Sequence, residues 1–439
     1  MTILIKAAQL LLSLSILVII HELGHFTFAK IFKTRVEKFY LFFNPWFSLF
    51  KVKKGETEYG IGWLPLGGFV KISGMIDESM DREQMKKEPH PWEFRSKPSG
   101  QRLLIMLGGV LYNVIFAFLI YSMVLFTWGE KYLPTANVKY GIICDTLALD
   151  MGLHNGDKIL TLDHQPVEDF LDVVPQIVYK GAKSIQVERD GKEIDIPVPD
   201  DFVKRFLDKK SFIYYAYPFV VKEFTKGAPA KEAGMREDDR ILGINGKSLP
   251  YFDLFVLELQ KHIGEQVTIQ VDRNGQKLDL PVTVPESGKI GVYPVDPKSF
   301  FELKEIHYGF FQSLPAGVKK GVQTISSYLK DLKLIFSPET KAYKSLGGFI
   351  AIGNIFPAQW DWQVFWKMTA FLSIMLAVLN VLPIPALDGG HVLFLTYEII
   401  TGRKPSDKFM EIAQIVGMVI LLALVIYANG NDLIKLFTK

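Results

Sequence analysis

Between Lys6 and Lys30 the chain carries one charged side chain, Glu22, and it stands with two histidines in the run His21-Glu22-Leu23-Gly24-His25. The surrounding residues are apolar over a length that only a membrane-crossing helix or a deeply buried one can accommodate. Residues four apart share a face of a helix, so both imidazoles can grip one zinc ion while Glu22 reaches a water beside it. Ionisable groups at membrane depth are costly, and where they occur they mark function. The first expectation is therefore a hydrolytic metal site inside the bilayer.

The rest of the composition agrees. Of 439 residues, 49% are hydrophobic, and the net charge of +3 is too small to mark a dedicated nucleic-acid binder. A single cysteine, Cys144, excludes an internal disulfide framework and any cysteine-based zinc cluster. Four stretches can each cross about 30 Å of hydrocarbon: residues 5–32, 103–128, 365–387 and 410–427. The first resembles a secretory signal in having Lys6 ahead of an apolar core. However, its apolar character continues through Phe26, Phe28 and Ala29, and no small-residue cleavage site follows Ile20.

Basic residues set the expected orientation. Lys30, Lys33, Arg35 and Lys38 follow the first span, Arg95, Lys97 and Arg102 precede the second, and Arg403, Lys404 and Lys408 lie between the third and fourth. Both loops are expected in the cytoplasm, with both termini and the long segment 129–360 outside. The first and third spans then run in the same direction, and the zinc motif falls near the cytoplasmic face.

The third span ends in Asn380-Val-Leu-Pro383-Ile-Pro385-Ala-Leu-Asp388-Gly389-Gly390. A catalytic zinc takes three protein ligands and one open position, and Asp388 offers a carboxylate at the depth of the histidines. Two prolines break the helix, and irregular backbone at membrane depth needs protein or a cavity around it. Asn380 could hydrogen-bond substrate backbone or an oxyanion. On the residues alone, Asp388-Gly389 also reads as an ordinary turn, and His391 is a rival ligand.

Taken together, these two motifs resemble the site-2 protease family of intramembrane zinc metalloproteases. The likeness extends to residues 60–74, similar to the family's membrane-associated β-loop, and to Phe94-Arg-Ser-Lys97-Pro98 with Gln101-Arg102, which resemble the lead into its second core helix. Asn113 matches a motif asparagine there. Val110 and Phe349 depart from the family's usual prolines, which bears on local helix geometry rather than on the ligands. The resemblance favours Asp388 as third ligand and makes His391 a helix-start residue. It also implies a Zn2+ cofactor, Glu22 as general base, and substrate binding by Asn380, Asn113, Gly67, Gly68 and Phe69.

The outer segment repeats. Residues 186–198 align with 270–282, each a hairpin with an Asp-Gly or Asn-Gly turn. Residues 156–162 align with 238–244 as strands, with helical stretches at 167–178 and 251–262. Pro175 weakens the first of these. The units resemble tandem PDZ domains, as in the bacterial branch of the family, and PDZ domains add an extended peptide to a sheet edge. Alternatively, the pair is a structural lid. The expected fold is a multi-pass α-helical membrane protein with four transmembrane helices and a membrane-associated β-loop, plus two β-rich PDZ-like extracytoplasmic domains. Its parts are a membrane core at 1–128, PDZ-like domains at 129–209 and 210–297, an amphipathic connector at 298–364 holding a helix over 314–336, and a second membrane segment at 365–439. The mixed-charge run 77–93 is expected to be a solvated loop.

The chemistry expected is hydrolysis of a peptide bond within a transmembrane substrate helix, locally unwound and clamped as an added strand by residues 57–72. Family resemblance points to a membrane-bound anti-sigma factor in regulated intramembrane proteolysis, and to remnant signal peptides, at a bacterial inner membrane. Two other classes compete. A silent scaffold with a structural metal has no need of Glu22, and a zinc transporter calls for ligating residues along spans two and four, whose interiors are apolar.

Overall fold

The structure, a computed structural model, describes residues 2–75, 88–209, 211–338, 340 and 342–437. The chain forms two compact units, Met1–Gly129 with His307–Lys439, and Glu130–Ile306. Most of the expected charged loop, residues 77–87, lies outside the described residues, as does residue 210 at the expected boundary between the outer modules.

Four helices of the first unit are long and apolar enough to cross a membrane. They are α1 (Thr2–Ile31), α2 (Ser99–Trp128), and two further on in the chain. Between α1 and α2 lie β1 (Val36–Lys54) and β2 (Thr57–Ile72), which bend and pair more than once. Residues 36–43 run antiparallel to 64–72, residues 48–54 run antiparallel to 57–62, and Phe39, Tyr40 and Leu41 also face Tyr59, Gly60 and Ile61. The result is a four-lane sheet with 68–72 along one edge. Positive φ at Phe42 and Trp46 marks where β1 turns out of its first lane.

After the second unit come α3 (Phe310–Phe336), α4 (Trp362–Val381), α5 (Asp388–Thr401) and α6 (Asp407–Phe437). The third span thus stops at Val381, six residues short of expectation, because Pro383 and Pro385 have no N–H to continue the ladder. Asp388 begins the separate 14-residue helix α5, too short to span. The amphipathic segment expected at 314–336 is helical from Phe310 and packs against α2 and α4: Gly317 meets Ser122, Gly321 meets Phe118, and Tyr328 sets its ring edge-on to Phe371.

Within lipid, apolar side chains gain little by leaving one apolar solvent for another, so small residues and buried polar pairs hold helices together. A Cβ on Gly24 would overlap the Gly108 carbonyl, so α1 and α2 touch backbone to backbone there. Ser13 pairs with Thr369 at 3.0 Å, Ser373 donates to the Asn113 carbonyl at 2.8 Å, and Gln9 donates to the Pro357 carbonyl at 3.0 Å. Helix α6 is held differently: Gly417 lies under the Pro385 carbonyl, and Asp432 accepts from the backbone of Gly348 and Ala351, both at 2.9 Å.

The second unit repeats one device. Arg189 forks onto buried Asp157 at 2.7 Å through both contacts and donates to the Gly152 carbonyl. Arg273 does the same to buried Asp239 at 2.7 Å and to the Gly234 carbonyl. Each carboxylate also accepts a backbone N–H, from His154 or Arg236, at 2.8 Å. Both hairpins turn at the expected dipeptides, with positive φ at Asp190-Gly191 and at Asn274-Gly275. In the second half the sheet order is Gln276–Thr283, Gln266–Arg273, Arg240–Ile244, Phe219–Phe224, Val292–Pro294.

Three details differ from expectation. The first helical stretch is broken into the turn Phe170–Asp172, the short piece Val173–Pro175 and the π-type turn Gln176–Lys180, around Pro175. Ile213–Tyr215, placed beyond the expected boundary at 209, pairs with Ile142–Cys144 of the first half. Lys304–Ile306, expected in the connector, pairs with Glu130–Tyr132 where the second unit begins. In the last two cases strand pairing across distant sequence, invisible to local pattern, decides the boundary.

Candidate metal centre

His21 and His25 stand one turn apart on α1, their rings edge to face with centroids 4.8 Å apart. Neither ring is free to turn. His25 Nδ1 lies 2.9 Å from the Ile105 carbonyl of α2, and a carbonyl can only accept. Nδ1 therefore carries the proton and Nε2 presents a bare lone pair. Gly109, one turn further along α2, makes room for both imidazoles: a Cβ there would sit 2.5 Å from His25 Nε2 and 2.6 Å from His21 Cε1.

Asp388 comes from the far end of the sequence. The break after Val381 turns the chain back, with Ala386 at φ 108°, a conformation that L-residues adopt only at a cost of about 1–3 kcal/mol. Gly389 and Gly390 pack so closely on Val381, Leu382 and Pro385 that side chains there would collide with backbone. As the first residue of α5, Asp388 lies at the positive end of the helix dipole. Its Oδ2 reaches 3.2 Å from His21 Nε2 and 3.2 Å from His25 Nε2, while the two Nε2 atoms are 3.3 Å apart.

This near-equilateral triangle is a direct test of fit for a metal. A tetrahedral zinc with bonds of about 2.0–2.1 Å separates its ligand atoms by about 3.3 Å. Asp388 Oδ2 is also buried and accepts no hydrogen bond, despite two nitrogens within reach. Three potential ligand atoms converging within 3.3 Å of one another suit a cation. Among the described residues, these three form the one group of His, Cys, Asp or Glu side chains close enough to share an ion.

The triangle forms one wall of a cavity of about 640 Å³. Glu22 and Asn380 line it, with Asn380 Nδ2 3.5 Å from His21 Nε2. Gly68 and Phe69 line it too, as does the rest of the sheet edge through Ile72. Gly68 is wedged beneath α1: a Cβ would lie 2.6 Å from Val18 and 3.6 Å from the Glu22 side chain. Gly67 instead faces Phe43 at φ 153° and is not part of the cavity wall, whereas Phe69 stacks on Tyr40 at 5.2 Å. Asn113 also stands apart from the wall. It is fully buried behind His21, with Nδ2 3.2 Å from His21 Nδ1. His391 lines the cavity without joining the triangle.

Several wall and backing residues were not anticipated from sequence. Gly109 could have been suspected from the Gly108-Gly109 pair one turn before Asn113. Ile105 acts through its carbonyl, which leaves no side-chain signature. Gln414 of α6 reaches the cavity from a span that reads as plain lipid-facing helix.

Two imidazoles and a carboxylate gathered among apolar helices, with Glu22 on the same cavity wall, suit a metallohydrolase of the membrane interior. The chain belongs to Peptidase family M50, the site-2 protease family, whose pattern matches residues 9–424. It is 28% identical to the regulator of sigma E protease of Haemophilus influenzae, over 99% of this chain and 100% of that protein. It is equally 28% identical to the regulator of sigma-E protease RseP of Escherichia coli K12, over 98% of each. A Neisseria meningitidis protein provisionally named a zinc metalloprotease is 27% identical over 96% of this chain and 97% of its own length. The chain is thus an intramembrane zinc metalloendopeptidase, with four apolar helices and a β-rich unit.

Proposed function

We propose that His21, His25 and Asp388 hold the zinc, that Glu22 is the general base, and that the sheet edge 68–72 presents an unwound substrate segment to them. The observation that carries this reading is the triangle of 3.2, 3.2 and 3.3 Å among the three donor atoms. When bound, zinc supplies Lewis acidity toward a water and the scissile carbonyl. Glu22, on the same cavity wall, takes the proton from the attacking water and passes it to the leaving amide nitrogen. Asn380 donates its amide N–H to the carbonyl oxygen as charge builds there.

A helical substrate hides its carbonyls in its own hydrogen bonds, so it must unwind before it can be cut. No further strand pairs with 68–72 among the described residues, and this edge lies on the cavity wall. An extended segment can add there as a fifth lane. Gly68 keeps that approach free of a side chain, and Phe69 anchors the strand on Tyr40. Residues 57–62, by contrast, are flanked on both sides within the sheet. The sheet's exposed Trp46 (91% exposed), Phe47 and Phe50, with Lys51, Lys53 and Lys54 following, suit a lipid interface.

The basic residues after α1, before α2 and between α5 and α6 argue for cytoplasmic loops in an inner membrane. That orientation makes the second unit and both termini periplasmic and puts the zinc site toward the cytoplasmic side. The second unit reads as tandem PDZ-like modules. In its second half a groove of about 670 Å³ lies between the edge strand Val292–Pro294 and the Phe252–Leu259 helix, a shape suited to an extended peptide from a substrate ectodomain. The names of the relatives point to sigma-E regulation, which suits a membrane-anchored anti-sigma factor as substrate; remnant signal peptides, suggested by the family resemblance alone, are a second class.

Cleavage of a single-span model substrate in detergent tests the core of this proposal. Glu22→Gln should retain zinc and fold while activity falls about 10²–10⁴-fold, and a chelator should abolish cleavage until zinc is restored. Cleavage that survives both treatments would overturn the roles of Glu22 and zinc, and no cleavage by the zinc-loaded parent would leave a scaffold with a structural metal as the better account.

A further inference from the structure

We infer that Asn113 is a positioning residue for the metal centre, fixing His21 by accepting its Nδ1 proton, rather than a substrate contact. The inference rests on the zinc reading above and deepens it. Helix α2 backs the two histidines with one stripe of positions four apart. Ile105 fixes His25 through its carbonyl, Gly109 clears space for both rings, and Asn113 stands against His21 Nδ1 at 3.2 Å.

Two loose ends meet at that contact. With the amide nitrogen toward the ring, Asn113 Oδ1 is buried without any hydrogen-bond partner, and such an atom is costly to leave unsatisfied. At the same time, an N–H donated into Nδ1 would leave the proton of neutral His21 on Nε2, the atom 3.2 Å from Asp388 Oδ2 and 3.3 Å from His25 Nε2. A protonated Nε2 cannot ligate. The two ends of an amide are isosteric and their assignment follows from the bonding network. With Oδ1 toward the ring, it accepts Nδ1–H, the buried oxygen is satisfied, and Nε2 is bare. His21 and His25 then carry the same tautomer, each set by an oxygen from α2.

The surroundings hold Asn113 in place for this task. Its side chain is fully buried, and its own carbonyl is pinned by Ser373 from α4 at 2.8 Å. It lies behind the imidazole, outside the cavity wall. Metal-ligating histidines generally depend on such a partner at the other ring nitrogen.

Zinc titration of the full-length protein in detergent, in competition with a chelating dye, reads the effect without any turnover. Asn113→Ala should weaken zinc binding by about 10–100-fold, and Asn113→Asp, which keeps an acceptor, should bind at least as tightly as the parent. At saturating zinc, KM for the model substrate should be unchanged in both. Parental zinc affinity in Asn113→Ala together with a raised KM would make Asn113 a substrate contact and overturn the inference. Should Asn113→Ala fail to fold, nitrogen-15 spectra of the histidine-labelled parent decide the matter. Zinc-loaded His21, assigned by its loss in His21→Gln, should show a protonated Nδ1 and a ligated Nε2, and the reverse pattern refutes the proposal. If His21→Gln and Asp388→Ala bind zinc like the parent, the metal-site reading itself has failed.

Discussion

At the scale of single residues, the site depends on atoms that are absent as much as on those present. Gly109 carries no side chain, and that is its contribution: a methyl group there would press on both imidazoles at 2.5–2.7 Å. Gly109→Ala should therefore lower zinc affinity by about 10–100-fold, comparable to loss of a ligand's outer partner, with the helical circular dichroism of the protein unchanged. Zinc content after dialysis, measured by atomic absorption, checks this. The H-E-L-G-H run made the two imidazoles and Glu22 legible, since spacing alone puts i and i+4 on one face. It could not reveal which nitrogen of each ring points inward, because that is set by Ile105 and Asn113, eighty or more residues away.

At the scale of elements, substrate handling falls on the sheet edge. Gly68 fits between Val18 of α1 and the Tyr40 carbonyl, so a larger residue there must push residues 68–72 away from Glu22. Gly68→Val is expected to cut kcat/KM about 10²-fold, the usual penalty for misplacing reactants by about an ångström, while zinc content stays at the parental level. A loss of zinc alongside activity would show that the edge supports the metal rather than the substrate. The strand character of 57–72 was readable from sequence, but its division into an inner lane and an exposed edge was not. That division follows from β1 pairing with β2 in three separate stretches, a register no local pattern specifies.

At the scale of the whole molecule, the two units have separate cores, one built around residues such as Ile105, Met106 and Phe365, the other around Val187, Phe219 and Val271. Cys144 lies in the second unit, and burial, with Asp157 and Asp145 adding to it, pushes its thiol up to about 12. At pH 8 almost none is thiolate while folded, whereas an unfolded cysteine titrates near pH 8.5, so alkylation reports opening of that unit. Chelation of zinc present at about a thousand times its Kd should remove about 4 kcal/mol from the first unit. Its thermal transition should drop accordingly, while the rate of Cys144 labelling stays unchanged. Faster labelling on chelation would mean the two units unfold together.

The sequence by itself determined the apolar spans, the zinc motif, the break after Asn380 and the repeat of the outer unit. Each of these is written in local periodicity or in short-range spacing. Only the tertiary structure decided that Asp388 opens its own helix, that its oxygen completes a triangle with His21 and His25, and that α2 sets both imidazoles. Those outcomes depend on backbone approach at Gly24, Gly109 and Gly389, between segments distant in the chain. Close packing of that kind is a property of the assembled fold, and no window of sequence contains both of its sides.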